Sequence, residues 1–146
     1  MPFKFRLKSV KRHREFILRE AQAALGAAES ARMRIVTEIE ELLEVIRRQT
    51  DQFEQEQKNG VGAPRYIYFK DHLSSLEREL LGLLKRLEKA SKEVENRKNA
   101  VIERDKSVKT LDSIETRDRE LYSVEQTRRE QRKMDDVALM NALNGE

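Results

Sequence analysis

The chain has no cysteine and no tryptophan, and it contains only two prolines and five glycines among 146 residues. Without cysteine, neither a disulfide framework nor a thiolate metal site can form. Few prolines and glycines leave long spans in which nothing interrupts a helix. No apolar run approaches the roughly 18 residues of a membrane span. The N-terminus also lacks the apolar segment of a signal peptide, so we expect a soluble cytoplasmic protein.

Charged residues are abundant, at 39% of the chain against 38% hydrophobic residues. This composition, together with the scarcity of helix breakers, is typical of exposed helices. The alternation of apolar and polar residues that marks a strand is suggested only around residues 66–69, so the sequence predicts an all-α fold. The formal net charge of +3 is small for this length and does not indicate a partner.

The second half of the chain carries a regular heptad stripe. Its residues are spaced alternately by three and four positions, and arginines are its only interruptions. The stripe consists of Leu73, Leu76, Leu80, Leu83, Leu87, Ala90, Val94, Arg97, Val101, Arg104, Val108 and Leu111. A stripe this narrow is typical of the seam of a left-handed coiled coil.

The first half carries a second stripe, which must be the partner if the chain folds back on itself. It runs from Val10 to Phe53 and includes several small alanines. The steps from Ala31 to Ile35 and from Ile35 to Ile39 are both four residues long, which predicts a stutter that locally unwinds the supercoil. This stripe predicts a first helix over about residues 5–58.

Turn-forming residues separate the two stripes. Gly60 suits the left-handed residue after a helix end, and Pro64 suits the first turn of the next helix. We therefore predict a turn over residues 59–64 and a second helix over about residues 65–142. Because a short connection favours antiparallel neighbours, the predicted fold is a long antiparallel two-helix coiled-coil hairpin, a single elongated unit over residues 1–146.

Fold-back about residue 62 places residue i beside roughly residue 124 − i. Val10 then lies level with about residue 114, so the second helix should overhang from about residue 115. At its end lies an apolar cluster that includes Met134, Val137 and Leu143. Two interpretations stay open: a frayed terminus, or an amphipathic end that becomes ordered inside another protein.

No arrangement of residues supports catalysis. The two histidines, His13 and His72, lie far apart on a hairpin, and no nucleophile accompanies them. The glycines form no phosphate-binding loop, and two helices offer no concave pocket. We predict no catalytic residue, no metal, no cofactor and no enzymatic activity.

Two regions are candidates for binding. The aromatic segment Tyr66–Phe69 with His72 either caps the bundle or forms an exposed docking patch. At the open end, the basic N-terminus lies beside the arginine-rich overhang. Nucleic-acid binding there is disfavoured because acids such as Asp118 and Glu130 are interleaved with the cations and stacking aromatics are lacking.

Three segments together resemble a known family. They are Phe3–Val10, the turn and following helix from Asn59 to Glu77, and Gln131–Asp136. Their order and spacing resemble FliJ, the small helical-hairpin component of the bacterial flagellar type III export apparatus. The resemblance covers most of the chain.

The resemblance implies a non-enzymatic stalk in the central hole of the hexameric flagellar export ATPase. Such a stalk promotes assembly and activity of the ATPase ring, links the ring to the cytoplasmic domain of the export gate, and handles export chaperones. It implies neither nucleic-acid binding nor membrane insertion. The expected location is the cytoplasm, peripheral to the inner membrane at the flagellar base.

The resemblance also implies two sets of binding residues. ATPase binding is expected at Lys8, Lys11, Arg12, Arg128, Arg129, Arg132, Lys133, Met134 and Asp135. Export-gate binding is expected at Tyr66, Phe69, His72, Leu76, Glu79 and Leu83. Members of the family can carry an aromatic residue in place of His72 and a small residue in place of Glu79. Leu76 and Leu83 also belong to the heptad stripe, and burial in the seam is the favoured interpretation for both.

Two further alternatives remain. The equivalent stalk of a virulence-type injectisome would share the fold and differ in its partners. A self-associating coiled-coil scaffold or adaptor would form its seam between chains instead of within one chain.

Overall fold

The computed structural model describes residues 2–145 and contains two helices, α1 (Lys8–Lys58) and α2 (Ala63–Asn144). The helices pack against each other as an all-α two-helix hairpin, and no strand is present among these residues. The predicted fold class is therefore confirmed. The helices differ slightly from the predicted bounds, since α1 begins after about residue 5 and α2 begins before about residue 65.

The turn between the helices has the chemistry that its sequence predicts. Gly60 has a φ of 87°, a conformation that glycine adopts without steric cost. Its backbone N–H donates to the Gln57 carbonyl at 3.1 Å, which satisfies one of the free carbonyls at the end of α1. Across the turn, the Arg65 guanidinium donates to the Glu56 carboxylate at 3.0 Å. This pair raises the pKa of Arg65.

Contacts within the hairpin group the residues into two units. We call residues 2–20 with residues 102–145 the terminal unit, and residues 21–101, which include the turn, the turn unit.

The turn unit has an apolar core. Ile35, Ile39 and Leu42 of α1 form one buried cluster with Leu83 of α2. Partly buried residues pack around it: Ile46, Leu76, Leu80, Leu87 and Ala90. Most of the core is built from Leu and Ile at heptad spacing, as the two stripes predict.

The register of this unit agrees with the prediction. Arg86 approaches Glu38, with 3.5 Å between the guanidinium and the carboxylate, and Arg32 donates to the Ser91 hydroxyl at 3.0 Å. Both pairs lie within one residue of the predicted pairing. The seam of the turn unit is therefore intramolecular.

The stripe on α1 differs from its prediction at two positions. Val10 is 45% exposed, and Ala31 is exposed while its neighbour Arg32 is half-buried. With Arg32 in the seam, the positions from Leu25 to Ile39 alternate three and four residues, so the predicted stutter is wrong. The aliphatic stem of an arginine can lie along an apolar seam while its guanidinium finds a polar partner, here Ser91.

Candidate partner-binding surfaces

Residues 2–7 precede α1, are not helical and pack on α2; we call them the N-terminal segment. Phe5 is only 8% exposed, and the Phe3 ring lies 5.5 Å from the Tyr122 ring. The Arg119 guanidinium of α2 lies over the Phe3 ring, 5.2 Å from its centroid, in a cation–π contact. These contacts fix the segment on α2.

The N-terminal segment extends the covered part of α2. Side chains of α2 are partly buried as far as Gln126, whereas the sequence predicts an overhang from about residue 115. A non-helical chain advances up to about 3.3 Å per residue and a helix about 1.5 Å, so a few non-helical residues reach further along α2. Residues 127–144, the exposed end of α2, are all exposed.

Lys11 is the most strongly paired cation of the terminal unit. Its ammonium lies 2.7 Å from an Asp112 oxygen and 2.6 Å from a Glu115 oxygen. Hydrogen bonds to Asp112 and then to Glu115 hold the pKa of Lys11 above its ordinary value. One of the predicted ATPase-binding residues is thus engaged within the chain and half-buried.

The other predicted ATPase-binding residues are exposed. Lys8 and Arg12 lie on the first turns of α1 and line a cleft with Phe3 and Phe5. The remaining six lie on the exposed end of α2: Arg128, Arg129, Arg132, Lys133, Met134 and Asp135. The structure therefore brings eight of the nine residues to the surface of the terminal unit, together with neighbours that the sequence did not indicate.

Those neighbours are Phe3, Lys4 and Tyr122. Lys4 and Tyr122 line a cleft with Arg129 and Lys133, two of the predicted residues. A signal for the pairing was present, because the fold-back rule places residue 3 beside about residue 121. The helical pattern of α1 begins after Phe3, so a fold-back rule for two paired helices does not cover that residue.

Half of the predicted gate-binding residues face α1. Phe69 is 8% exposed and stacks on Phe53, with 3.9 Å between ring centroids and 4° between ring planes. Leu83 is 8% exposed in the apolar core, and Leu76 packs against that core. These three side chains pack between the two helices. For Leu76 and Leu83, this agrees with the interpretation that they lie in the seam.

The other predicted gate-binding residues are more accessible. Tyr66 is 43% exposed, His72 is half-buried and stacks on Tyr68 at 6.2 Å, and Glu79 is exposed. Ile67 and Tyr68, at 58% and 61%, are more exposed than Tyr66, although neither was predicted as a site residue. We call Tyr66, Ile67 and Tyr68 the turn patch. Phe69 is buried against Phe53, as the capping interpretation predicts, whereas the turn patch is exposed and its role in docking stays a prediction.

No group of three or more histidine, aspartate or glutamate residues in the described range is arranged to hold a metal ion. Likewise, neither described helix has an apolar window long enough to cross a membrane.

A comparison with protein families shows the family to which the chain belongs. The family model described as "Flagellar FliJ protein" matches residues 3–146, essentially the whole chain. The chain belongs to the FliJ family. This confirms the resemblance drawn from the N-terminal, turn and C-terminal segments. No curated protein and no solved structure matches the chain in the corresponding comparisons.

Membership of the FliJ family assigns the chain to the flagellar export apparatus, as an export-related stalk protein. FliJ proteins are structural, non-catalytic components of that apparatus. The family relationship suggests that the chain interacts with the flagellar export apparatus.

Proposed function

We propose that this FliJ protein is the central stalk of the flagellar type III export ATPase. In this proposal the terminal unit enters the hexameric ATPase ring and promotes its assembly and activity. The turn unit contacts the cytoplasmic domain of the export gate and so couples the ring to the gate. The proposal places the protein in the cytoplasm, at the inner membrane of the flagellar base.

The observation that carries this proposal is the exposed end of α2. Residues 127–144 have no cover within the described chain, yet they include large apolar side chains. Met134 is 67% exposed, Met140 61% and Leu143 69%. A run of exposed apolar residues on one helix end is typical of a segment that binds another protein.

Cations accompany these apolar residues. Arg128, Arg132 and Lys133 are all exposed, and Arg129 makes one contact of 3.5 Å with Glu125. Exposed ion pairs contribute about 0 to 1 kcal/mol each. In this proposal such contacts supplement the apolar contacts of the same helix end, and because each is weak the stalk can shift within the ring.

For the gate, we propose that the exposed side chains make the contact. Tyr66, His72 and Glu79 are accessible, and Ile67 and Tyr68 of the turn patch extend the same surface. Phe69, Leu76 and Leu83 would act indirectly, because they fix the helix that presents the others. We also include export-chaperone handling in the proposal, supported by the family relationship.

No observation favours a self-associating scaffold. That alternative requires the apolar stripes to pair between chains, whereas Ile39, Leu42 and Leu83 pack within one chain. The family match to a flagellar protein likewise gives no support to the injectisome alternative.

The test is the ATP hydrolysis rate of the cognate flagellar export ATPase, titrated with this protein near the concentration at which the ring assembles. We expect stimulation by the native chain. Replacing Arg128, Arg129, Arg132 and Lys133 together by glutamine should raise the half-maximal concentration about tenfold or more, at several tenths of a kcal/mol per charge.

A matched control carries four glutamines at exposed cations of the turn unit: Arg78, Lys85, Lys89 and Lys98. It has the same change in net charge and should stimulate like the native chain. Absence of stimulation by the native chain, or equal loss in both variants, would contradict the proposal.

A further inference from the structure

We propose that the N-terminal segment and α2 together form a binding site for a carboxylate-rich peptide segment of a partner protein. The site is the cleft of about 630 Å³ beside Tyr122. Its lining consists of Pro2, Lys4, Tyr122, Gln126, Arg129, Glu130 and Lys133. The inference rests on the proposed function. It adds that the partner surface bound by the terminal unit is rich in carboxylates.

Three cations from two separate parts of the chain meet at this cleft. Lys4 comes from the N-terminal segment, and Arg129 and Lys133 come from α2, one helical turn apart. Glu130 is the single acid in the lining, so the cleft carries a formal charge of +2. A cleft with this charge attracts carboxylates.

Two of the three cleft cations are unpaired within the described chain, whereas other cations of the terminal unit are held by acids. Lys11 is held by Asp112 and Glu115, and Arg6 lies 3.6 Å from Asp118. Neither Lys4 nor Lys133 makes an ion pair with another described residue. Arg129 makes one exposed contact of 3.5 Å with Glu125. The acids of α2 therefore pair with some cations of the terminal unit and leave Lys4 and Lys133 of the cleft available.

A peptide fits this site better than a nucleic acid. Binding of single-stranded nucleic acid relies on aromatic rings on which bases stack, and the Tyr122 ring already packs against Phe3. Glu130 in the lining and the nearby Glu125 would repel a continuous phosphate backbone. Separate carboxylates can instead bind the planar guanidinium of Arg129 and the point charges of the two lysines.

The position of Lys4 depends on its apolar neighbours. Phe3 packs on Tyr122, and Phe5 is buried, so the residues on both sides of Lys4 are fixed to the hairpin. Truncating Phe5 should release Lys4 from the cleft without any change in charge. Weaker binding by this variant would show that the position of Lys4 matters and not only the total positive charge of the surface.

The experiment uses the full-length protein and a fluorescein-labelled hexaglutamate peptide, with fluorescence anisotropy at about 50 mM salt, where charge screening is weak. We expect saturable binding. Lys4→Gln and Lys133→Gln should each raise the Kd by about threefold to tenfold. Phe5→Ala should weaken binding about as much as Lys4→Gln. Circular dichroism confirms that each variant remains helical.

The control is Arg14→Gln, which makes the same charge change at an exposed residue of the terminal unit outside the cleft. Its Kd should change by less than about twofold. An equal loss in this control would show diffuse electrostatic attraction and overturn the inference. So would a Phe5→Ala variant that binds normally, or tighter binding of a fluorescein-labelled single-stranded oligonucleotide of equal charge.

The same variants in the ATPase assay separate this inference from the proposed function. Peptide binding with the expected variant pattern, but no stimulation by the native chain, would overturn only the proposed function. Normal stimulation by Lys4→Gln and Lys133→Gln would show that this cleft is not part of the ATPase-binding surface. The proposed function would still stand.

Discussion

Different kinds of side chain pair the two helices within the terminal unit and within the turn unit. In the turn unit, Ile39, Leu42 and Leu83 are buried between the helices. The terminal unit also buries apolar side chains such as Phe5 and Val108, but there Lys11 pairs with Asp112 and Glu115, a set that we call the ionic seam. One pattern of helix pairing therefore accommodates both an apolar seam and an ionic seam.

These two seams differ in strength and in sensitivity to solvent. Full burial of a leucine contributes about 1.5 to 3 kcal/mol and depends little on salt, whereas exposed ion pairs contribute about 0 to 1 kcal/mol and are screened. We infer that the ionic seam at Lys11 contributes less to the free energy of folding than the apolar cluster of the turn unit does.

The largest predicted effect comes from the apolar core. Leu83→Ala removes a buried leucine of the central cluster and should lower the free energy of unfolding by about 3 kcal/mol, through lost burial and a residual cavity. Urea denaturation followed by circular dichroism measures it. Leu81→Ala is the matched control, because Leu81 lies on the same helix but is 58% exposed. A similar loss in both variants would show that the seam is placed wrongly.

The next effect concerns the N-terminal segment. Phe5→Ala should remove about 2 kcal/mol of local stability, because Phe5 is the buried anchor of that segment on the hairpin. Tryptic cleavage after Lys4, Arg6 and Lys8 should become faster while the helix content stays nearly unchanged. Phe16→Ala, at a phenylalanine that is 49% exposed in the same unit, should leave cleavage unchanged.

A smaller effect is expected from the ionic seam. Lys11→Gln removes the shared partner of Asp112 and Glu115 and should lower the free energy of unfolding by about 1 kcal/mol at low salt. The difference from the native chain should shrink in about 1 M salt. Lys8→Gln, at an exposed lysine of the same helical turn, should have little effect. A loss that does not depend on salt would contradict the ionic interpretation.

The sign of the pH dependence follows from the raised pKa of Lys11. A cation that is favoured in the folded state contributes its full stability below the ordinary lysine pKa of 10.5 and loses it as the pH rises through the folded value. The stability difference between native and Lys11→Gln protein should therefore be constant from pH 7 to about pH 9.5 with respect to this lysine. It should decrease in strongly alkaline solution.

Heptad spacing accounts for what could be predicted about the fold. The stripe on α2, the turn at Gly60 and the register all follow from residue spacing and local backbone chemistry. Arg32 was missed because a charged residue counts as an interruption in a hydrophobic pattern, although its stem can lie in a seam. The position of the N-terminal segment was missed because helical periodicity carries no information about a non-helical segment.

The candidate surfaces were harder to predict than the fold. Whether Phe69 or Tyr68 is exposed depends on which neighbour meets Phe53 of the other helix, and one residue of rotation separates these outcomes. Similarly, the engagement of Lys11 depends on acids about one hundred residues away in the chain. Composition indicated where the charges are, but only the packing shows which of them are already paired.

The smallest predicted effect comes from replacing a glycine that lies inside a helix of the turn unit. Gly82 lies within α2, and a Cβ added there would meet no atom within 4 Å. Gly82→Ala should therefore raise the free energy of unfolding by about 0.5 to 1 kcal/mol, because alanine loses less backbone entropy in a helix. Gly60→Ala is the contrasting variant and should destabilise by about 1 kcal/mol, since its φ of 87° is strained for alanine. Urea midpoints that move in the same direction for both variants would contradict the account of the turn.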